Sequence, residues 1–199
     1  MRLIVFTRYP EAGTVKTRLI PALGPEGAKG LHREMAEYTL SQACRVGCDL
    51  EVRFTGGDRS LMEEWLGEGL QYKKQEGDTL GERMQNAVAE AFSTGTGKVV
   101  IVGTDCPGLT AEQIKKAFGL LDKADLVLGP AFDGGYYLIG LRRPHEMLFR
   151  DIPWGSEFVL KVTLETADRL KLKTALLEKL ADVDCPEDLS NWAKFKENR

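Results

Sequence analysis

The stretch that decides the fold is Lys98-Val99-Val100-Ile101-Val102-Gly103-Thr104-Asp105-Cys106-Pro107. Its four consecutive aliphatic residues lie between a Gly-containing turn at 95–97 and Gly103, which is typical of a strand buried on both faces. The strand ends at Gly103 and places Asp105 just beyond its carboxyl end, where open α/β sheets bind their ligands. From this stretch alone, two interpretations of Asp105 stay open: a metal or substrate ligand, or a side chain that only caps the turn.

The bulk composition is that of an ordinary globular protein. The chain has 199 residues, of which 43% are hydrophobic and 29% are charged, and its net charge is −3. This length suits one domain over residues 1–199, and the acidic balance argues against a nucleic-acid partner, which needs a clustered basic face. Because no apolar run is long enough for a signal peptide or a membrane span, we expect a cytoplasmic protein. The composition leaves the oligomeric state open.

Apolar runs that predict strands alternate with amphipathic stretches that predict helices. The predicted strands cover 3–6, 50–54, 72–75, 99–102, 125–130, 136–141 and 174–177, and the predicted helices lie at 26–46, 58–66, 79–91, 110–121, 158–170 and after 186. Such alternation predicts a mostly parallel sheet with helices on both faces. The hairpin-like segment 128–141 breaks the alternation, so we expect a mixed sheet in a single-domain α/β fold.

The loop after the first strand carries two cations. It reads Gly13-Thr14-Val15-Lys16-Thr17-Arg18-Leu19, and it lacks the glycine spacing of a Walker A motif, which argues against a P-loop ATPase. A Gly-containing loop whose backbone N–H groups act together with Lys and Arg side chains makes a phosphate site. The alternative is a solvated basic turn. The position of the loop directly after the first strand favours phosphate binding through Gly13, Lys16 and Arg18.

Two carboxylates, Asp105 and Asp184, each follow a strand-like segment and precede a helix start. If both loops lie at the same edge of the sheet, the two side chains converge. Oxygen ligands suit Mg²⁺ or Mn²⁺ that bridges to phosphate oxygens. The two histidines of the chain, and its four cysteines without a C-x-x-C pair, offer little for a zinc site. The alternative for Asp184 is a place at a helix N-terminus, which favours negative charge.

The segment Asp133-Gly134-Gly135 has two interpretations. Its glycines allow a tight turn or the close approach of a ligand to the backbone, and Asp133 could hydrogen-bond sugar hydroxyls or act as a base. A plain hairpin turn fits equally well, since Asp-Gly is a strong turn signal. For Trp154, further along the chain, the alternatives are stacking on a ligand ring and packing in the core.

Taken together, these segments resemble a known family. The matching pieces are Gly13-x-x-Lys16-Thr17-Arg18-Leu19, Gln75-x-Gly77-Asp78-x-Leu80-Gly81-Glu82-Arg83-Met84, Gly103-Thr104-Asp105-Cys106-Pro107, Gly129-Pro130-x-x-Asp133-Gly134-Gly135-Tyr136-Tyr137 and Asp182-Val183-Asp184-Cys185-Pro186-Glu187-Asp188-Leu189. The combination resembles a bacterial glycosyltransferase family linked to arsenosugar biosynthesis, and more distantly the molybdenum cofactor and 2-phospholactate guanylyltransferases. The resemblance covers nearly the whole chain and implies the Rossmann-like GT-A fold of the nucleotide-diphospho-sugar transferases.

The resemblance also implies roles for individual residues. Lys16 and Arg18 would face nucleotide phosphates, and Asp105 and Asp184 would hold the metal ion. The residues that would contact the nucleotide base are Gln75, Leu80 and Gly81. The residues that would form the acceptor or sugar side are Asp133, Gly134 and Gly135.

The chain departs from the family pattern at two places. The segment Gly103-Thr104-Asp105 lacks the first carboxylate of a full Asp-x-Asp motif, which weakens the inference of a metal requirement. Cys185 replaces the usual Thr or Ser before Pro186. Since Cys is a poorer N-cap, this change costs on the order of 1 kcal/mol of stability without touching the chemistry.

The residues and the resemblance together predict a glycosyltransferase that moves a sugar from a nucleotide sugar to an unidentified small-molecule acceptor. Mg²⁺ or Mn²⁺ on Asp105 and Asp184, with the Lys16 and Arg18 cations, would neutralise the departing diphosphate, and Asp133 would position the acceptor. A second hypothesis is nucleotidyl transfer, in which a phosphorylated acceptor attacks an NTP. A third is a non-catalytic module that senses nucleotides.

Overall fold

The seven strands of the computed structural model, which describes residues 1–197, form one sheet in the order β3-β2-β1-β4-β6-β5-β7. The strands are β1 (Arg2–Arg8), β2 (Asp49–Thr55), β3 (Gln71–Lys74), β4 (Val99–Val102), β5 (Leu126–Pro130), β6 (Tyr136–Leu141) and β7 (Thr174–Leu176). The strand β6 runs antiparallel to its neighbours β4 and β5, and the other pairings are parallel. The predicted mixed, mostly parallel sheet is therefore confirmed. Residues 198 and 199 of the predicted domain lie outside the described residues.

Six α-helices connect or follow these strands within residues 1–197. They are α1 (Ile20–Cys44), α2 (Arg59–Leu66), α3 (Leu80–Ser93), α4 (Ala111–Leu120), α5 (Val159–Arg169) and α6 (Leu189–Glu197), and short 3-10 turns lie at Thr17–Leu19, Glu146–Leu148 and Pro186–Asp188. The patterns Thr79-x-x-Glu82 and Thr110-x-x-Gln113 predict capping boxes. Both are present, so polar side chains satisfy the first N–H groups of α3 and α4. No helix in this part of the chain combines the length and the apolar character needed to cross a membrane.

The helix α1 begins earlier than its apolar stripe predicts. The stripe indicates a start near residue 26, but the first helical turn begins at Ile20. Gly24 interrupts the helix with φ 70° and ψ 167°, and Pro25 follows it. This break separates one short turn from the amphipathic helix proper, in which the predicted positions Ala28 and Met35 are buried. Because Gly24 and Pro25 both disfavour a helix, the sequence pattern does not indicate that the helix begins at Ile20.

The strand β4 is buried on both faces, as its sequence predicts. Val100 and Val102 pack in one cluster with residues of α4, while Val99 and Ile101 pack in another with residues of α3. This alternation follows from the two-residue period of a strand. Burying each such side chain contributes roughly 1.5–3 kcal/mol, so β4 anchors both layers of the core. Leu80 lies on the apolar stripe of α3 with Met84 and Ala87, which predicts an inward position in addition to the base contact that the resemblance implies. It is instead exposed at the start of that helix.

The β5–β6 hairpin brings its turn to the edge of the sheet where β1 and β4 end. Gly129 lies against the Tyr137 ring, and a Cβ at Gly129 would lie only 2.4 Å from that ring. The Tyr137 hydroxyl donates to the Glu178 carbonyl oxygen at 2.9 Å, which ties the hairpin to the segment after β7. The carboxyl ends of β1, β4 and β5 and the 131–135 turn therefore meet at one edge.

Candidate active site

A cleft of about 660 Å³ opens at this edge, a size typical of small-molecule sites. Eight of the residues predicted from the sequence line it: Arg18, Gln75, Leu80, Asp105, Asp133, Gly135, Trp154 and Asp184. Four predicted residues lie outside the lining: Gly13, Lys16, Gly81 and Gly134. Most of the residues predicted from the sequence thus lie at the cleft. The sequence did not distinguish the residues that line the cleft from those that pack behind it.

Lys16 lies beneath the cleft and joins its two candidate metal ligands. Its side chain is only 3% exposed, and its Nζ lies 2.6 Å from Asp105 Oδ1 and 3.7 Å from Asp184 Oδ1. The same ammonium donates to the Val183 carbonyl oxygen at 2.6 Å. Two of these oxygens lie within hydrogen-bond distance of the ammonium, and the Asp184 oxygen is close enough for an ion pair. Because its side chain is buried, Lys16 is not part of a solvated basic turn.

The backbone of Lys16 is in the left-handed region, with φ 47° and ψ 43°. A residue with a Cβ pays roughly 1–2 kcal/mol for this conformation. Such strain persists only where surrounding contacts determine the conformation, and it concentrates at functional sites. Here, those contacts are the three oxygens around the Lys16 ammonium.

Arg18 is the exposed partner of this buried lysine. Its guanidinium donates to Asp184 Oδ2 at 2.7 Å, while its side chain remains 63% exposed and lines the cleft. A guanidinium in this position presents planar donors that match phosphate oxygens. The loop after β1 thus supplies one supporting cation and one cation that a ligand can reach.

Asp105 and Asp184 converge as the sequence predicts for two loops at the same edge. The backbone N–H of Val183 donates to the Asp105 carbonyl oxygen at 2.9 Å, which fixes the two loops together. Both carboxylates face the cleft, with 54% of the Asp105 side chain and 38% of the Asp184 side chain exposed. The arrangement offers two oxygen donors to a ligand from one point of the cleft.

The Lys16 ammonium favours the ionised form of Asp105. Desolvation in the cleft opposes ionisation of this carboxyl, but the Lys16 ammonium beside it outweighs that effect and holds the Asp105 pKa below its ordinary value. His32 lies near the pair and is buried, and burial lowers its pKa. Its Nε2 lies 2.8 Å from the Arg8 carbonyl oxygen. At neutral pH, Lys16 is therefore the cation that Asp105 faces most closely.

The donor set fits a divalent ion that shares its coordination with a phosphorylated ligand. Within residues 1–197, no group of three or more His, Cys, Asp or Glu side chains is placed to hold a metal ion by itself. Two converging carboxylates are, however, the protein share that Mg²⁺ takes where substrate phosphates and water complete its shell. Asp105 and Asp184 would hold such an ion.

The 3-10 turn that follows Asp184 is capped by the side chain of Asp188. The Asp188 carboxylate accepts hydrogen bonds from the backbone N–H groups of Asp184 at 3.1 Å and Cys185 at 2.9 Å. Asp188 therefore has the helix-terminus role that the sequence offers as the alternative for Asp184. The Asp184 carboxylate contacts Arg18 and Lys16 instead.

The 131–135 segment forms the predicted hairpin turn, and its carboxylate also lines the cleft. Asp133 Oδ1 accepts a hydrogen bond from the Gly135 backbone N–H at 2.8 Å, as in an Asx turn, and Asp133 also lines the cleft. Gly134 has φ 90°, and a Cβ there would lie 2.2 Å from the Glu157 carbonyl oxygen. At Gly134, where the sequence predicts a tight turn or the close approach of a ligand, the backbone of the 155–160 segment lies in close contact.

Gly81 and Trp154 form a similar close contact. A Cβ at Gly81 would lie 2.4 Å from the Phe149 carbonyl oxygen and 2.7 Å from Trp154 Nε1, so this glycine is covered by protein groups and does not line the cleft. Trp154 packs edge-to-face on Tyr136, with ring centroids 6.1 Å apart, and it also lines the cleft. Both alternatives for Trp154, core packing and ligand contact, are compatible with this position.

Gln75 follows β3, which lies on the other side of β1 from the hairpin strands β5 and β6, and it lines the cleft. Its side-chain amide donates to the Thr7 and Arg53 carbonyl oxygens, both at 3.1 Å, so both of its N–H groups are engaged. Toward a ligand, this side chain therefore offers its oxygen as an acceptor. Leu80 is exposed beside it as an apolar lining residue.

Sequence reasoning missed Asp182, which also lines the cleft. Burial, followed by the nearby charge of Asp133, raises the Asp182 pKa to about 6. A signal for it exists in the sequence, because residues two apart in an extended segment share a side. Val183 is fully buried, so Asp182 and Asp184 both project away from the core.

Comparison with solved structures defines the class of fold. A nucleotidyl transferase from the methanogen Methanothermobacter (Mth528) has a TM-score of 0.68 at 16% identity and covers 100% of this chain and 99% of its own. The inositol-1-phosphate CTP transferase of T. maritima has a TM-score of 0.61 at 16% identity, covering 98% of this chain and 94% of its own. The chain thus has the fold shared by nucleotidyltransferases and GT-A enzymes, which confirms the predicted fold class.

The family follows from closer matches. Residues 39–156, more than half of the chain, match the family described as an uncharacterized protein conserved in bacteria (DUF2064), and the chain belongs to it. A crystal structure from Desulfovibrio desulfuricans G20, provisionally named a nucleotide-diphospho-sugar transferase, is 36% identical with a TM-score of 0.94, covering 99% of this chain and 87% of its own. The chain is also 24% identical to the phosphoenolpyruvate guanylyltransferase of Sphaerobacter thermophilus, over 97% of this chain and 93% of the relative.

Proposed function

We propose that this protein transfers a sugar from a nucleotide diphosphate sugar to a small-molecule acceptor, with a divalent metal ion at Asp105 and Asp184. The observation that carries the proposal is the division of charge in the cleft. The side near the end of β1 contains the cations Arg8 and Arg18 together with the carboxylates Asp105 and Asp184. The side formed by the hairpin and the 154–159 segment contains carboxylates and, among the described lining residues, no Lys or Arg.

The side near β1 suits the nucleotide diphosphate. The exposed Arg18 guanidinium would bind phosphate oxygens, and a Mg²⁺ or Mn²⁺ ion held by Asp105 and Asp184 would supply further neutralisation of the developing diphosphate charge. Lys16 supports both carboxylates from below. Gln75 and Leu80 also line the cleft, and they would contact the base, Gln75 as a hydrogen-bond acceptor and Leu80 as an apolar surface.

The hairpin side suits a neutral molecule that carries hydroxyl groups. Asp133, Glu157 and Asp182 line this side, and their carboxylate oxygens accept hydrogen bonds from sugar hydroxyls. An acceptor with a phosphate or carboxylate group would meet like charges there, which costs binding free energy. Asp133 and Asp182 would therefore position the transferred sugar or the hydroxyl that attacks it.

A second candidate, nucleotidyl transfer, is favoured by a different observation. The guanylyltransferase relative matches nearly the whole chain, and the single carboxylate after β4 departs from the Asp-x-Asp motif of sugar transfer. In that reaction, a phosphorylated acceptor would attack the α-phosphate of an NTP, and pyrophosphate would leave. The link to arsenosugar biosynthesis remains a prediction from the sequence motifs.

The test is a thermal-shift screen of nucleotide sugars and NTPs with and without Mn²⁺, followed by identification of the product. A ligand that binds only the native state at 100 times its Kd adds about 2.7 kcal/mol of stability. We expect a metal-dependent rise in Tm with a nucleotide sugar, and release of a nucleoside diphosphate when an acceptor is present. Release of pyrophosphate from an NTP would instead identify nucleotidyl transfer.

A pair of variants checks that the screen reports on this cleft. Asp105→Asn should abolish the metal dependence of the shift. The control Asp122→Asn should retain it, because Asp122 is an exposed carboxylate paired with Lys98 at 2.7 Å, outside the cleft lining. No metal-dependent shift with any nucleotide would overturn both transfer reactions. Metal-dependent binding without turnover of any donor would indicate a nucleotide-sensing module.

A further inference from the structure

The Lys16 ammonium lies at the point where the two candidate metal ligands meet. Its Nζ is 2.6 Å from one Asp105 oxygen and 3.7 Å from one Asp184 oxygen, distances at which it neutralises both. The side chain is buried, so little solvent screens these contacts. In this conformation, a divalent ion on the same oxygens would lie within a few ångströms of a positive charge, where like charges repel strongly.

We propose that Lys16 is a tethered cation that competes with the divalent metal ion for Asp105 and Asp184. As a consequence, the metal ion binds together with a nucleotide rather than before it. This inference rests on the proposed function, because it assumes that the two carboxylates hold a metal ion. It adds an order of binding that the sequence of the site does not reveal.

The charge balance of the cluster supports this order. Lys16 and Arg18 neutralise Asp105 and Asp184, so the four groups carry no net charge together. A divalent ion added alone would leave two uncompensated positive charges. A nucleotide diphosphate supplies the missing negative charge, and its oxygens give the Lys16 ammonium new acceptors within reach of its flexible stem.

The competing explanation is that Lys16 only ties two loops together. It joins the loop after β1 to the 183–184 segment, and its hydrogen bond to the Val183 carbonyl oxygen serves that purpose. A purely structural lysine predicts that its removal lowers stability and leaves metal affinity unchanged or weaker. A competing cation predicts that its removal tightens metal binding, so the two roles have opposite signatures.

The test is a Mn²⁺ titration of the nucleotide-free protein, followed by the electron paramagnetic resonance signal of free Mn²⁺. We expect Lys16→Met to bind Mn²⁺ at least about tenfold more tightly than the wild type, because an adjacent positive charge is gone. The matched control is Lys98→Met. Lys98 also contacts a carboxylate and a carbonyl oxygen, Asp122 at 2.7 Å and Phe118 at 2.9 Å, but lies outside the cleft lining. Its removal should leave Mn²⁺ affinity within about twofold of the wild type.

Three further measurements make the result decisive. Adding Asp105→Asn to Lys16→Met should remove the gain, and Lys16→Gln should reproduce the gain if Lys16→Met does not fold. In the wild type, GDP or UDP should raise Mn²⁺ affinity at least about tenfold. Equal or weaker Mn²⁺ binding by a folded Lys16 variant would overturn the inference while leaving the proposed function intact. Absence of Mn²⁺ binding by the wild type and the variants, with or without GDP or UDP, would overturn the metal site of the proposed function.

Discussion

Two clusters of charge in this molecule contain the same kinds of group in different surroundings. Each has two carboxylates, which pair with three cations in the closed cluster and with two in the open one. The closed cluster consists of Glu51 and Glu90 with Arg2, Arg53 and Lys73, at the junction of β1, β2, β3 and α3. The open cluster consists of Lys16, Arg18, Asp105 and Asp184, at the carboxyl edge of the sheet.

Exposure is what separates the two clusters. At the centre of the closed cluster, the side chains of Glu51 and Arg53 are each 1% exposed, while Lys73 and Glu90 at its edge are 36% and 42% exposed. Arg53 also donates to Glu90. In the open cluster, only Lys16 is buried, and the two carboxylates and Arg18 face the cleft. Ionic groups of the same kinds are thus covered by packing at the centre of the closed cluster and remain accessible to a ligand in the open cluster, which lies at the carboxyl ends of the strands.

The largest expected effect comes from breaking the closed cluster. Arg53→Met should lower the free energy of unfolding by about 3–5 kcal/mol, because it leaves the Glu51 carboxylate buried without its main partner. Urea denaturation at neutral pH measures the loss. The double variant Arg53→Met with Glu51→Leu should recover much of it. A loss below about 1 kcal/mol would show that the closed cluster does not stabilise the fold.

The corresponding change in the open cluster should cost less stability. Lys16→Met should lower the free energy of unfolding by about 1 kcal/mol, since the Asp105 and Asp184 carboxylates that it leaves can be solvated in the cleft. The same urea titration makes the comparison with Arg53→Met direct. An equal loss in the two variants would mean that the open cluster is as structural as the closed one.

A smaller effect should follow from a cleft carboxylate outside both clusters. Burial and the charge of Asp133 raise the Asp182 pKa to about 6, above the value near 3.9 expected in the unfolded chain. The folded state therefore holds this proton more tightly, so Asp182 favours folding below about pH 4 and loses that contribution as pH rises toward and through 6. Asp182→Asn should remove this loss.

Thermal unfolding between pH 4.5 and 7.5 measures the Asp182 effect. The gain in stability of Asp182→Asn over the wild type should increase with pH and reach about 1 kcal/mol at neutrality. Asp122→Asn, an exposed carboxylate outside the cleft, is the control. A difference between Asp182→Asn and the wild type that stays constant across this range would contradict the raised pKa.

Much of the fold was predictable because its signals are local. The aliphatic run of β4 and the Thr79 and Thr110 capping boxes each determine structure within a few residues, and all three appear as expected. The start of α1 was not predictable in the same way, because Gly24 and Pro25 conceal the turn before them. Leu80 failed as a core residue because the helix begins at its own position and leaves it beside the cleft.

The candidate site was only partly predictable because its contacts are not local. Arg18, Asp105 and Asp184 were expected at the cleft, and the structure places all three there. The burial of Lys16 depends on a left-handed backbone and on a segment 167 residues away, which no local pattern encodes. Gly81 and Gly134 were expected near a ligand, but close packing against Phe149 and Glu157 explains both.

The closed cluster was missed for a related reason. The alternation of Leu50, Val52 and Phe54 predicts a strand with a single apolar face. The structure also covers the opposite face, since Glu90 of α3 reaches Arg53 there. Polar residues that alternate with apolar ones give the same sequence pattern whether water or an oppositely charged side chain contacts them. Only the packing of α3 distinguishes the two cases.

The most direct test of the central claim removes one accessible cation from each cluster and measures nucleotide affinity. Isothermal titration of GDP and UDP in the presence of Mn²⁺ would compare Arg18→Met with Lys73→Met, because both residues pair with a carboxylate at 2.6–2.7 Å at the edge of their cluster. We predict that Arg18→Met weakens nucleotide binding at least about tenfold, as the loss of a charged phosphate contact should. Lys73→Met should leave it within about twofold. Equal effects, or a larger effect of Lys73→Met, would contradict the assignment of the open cluster as the nucleotide site.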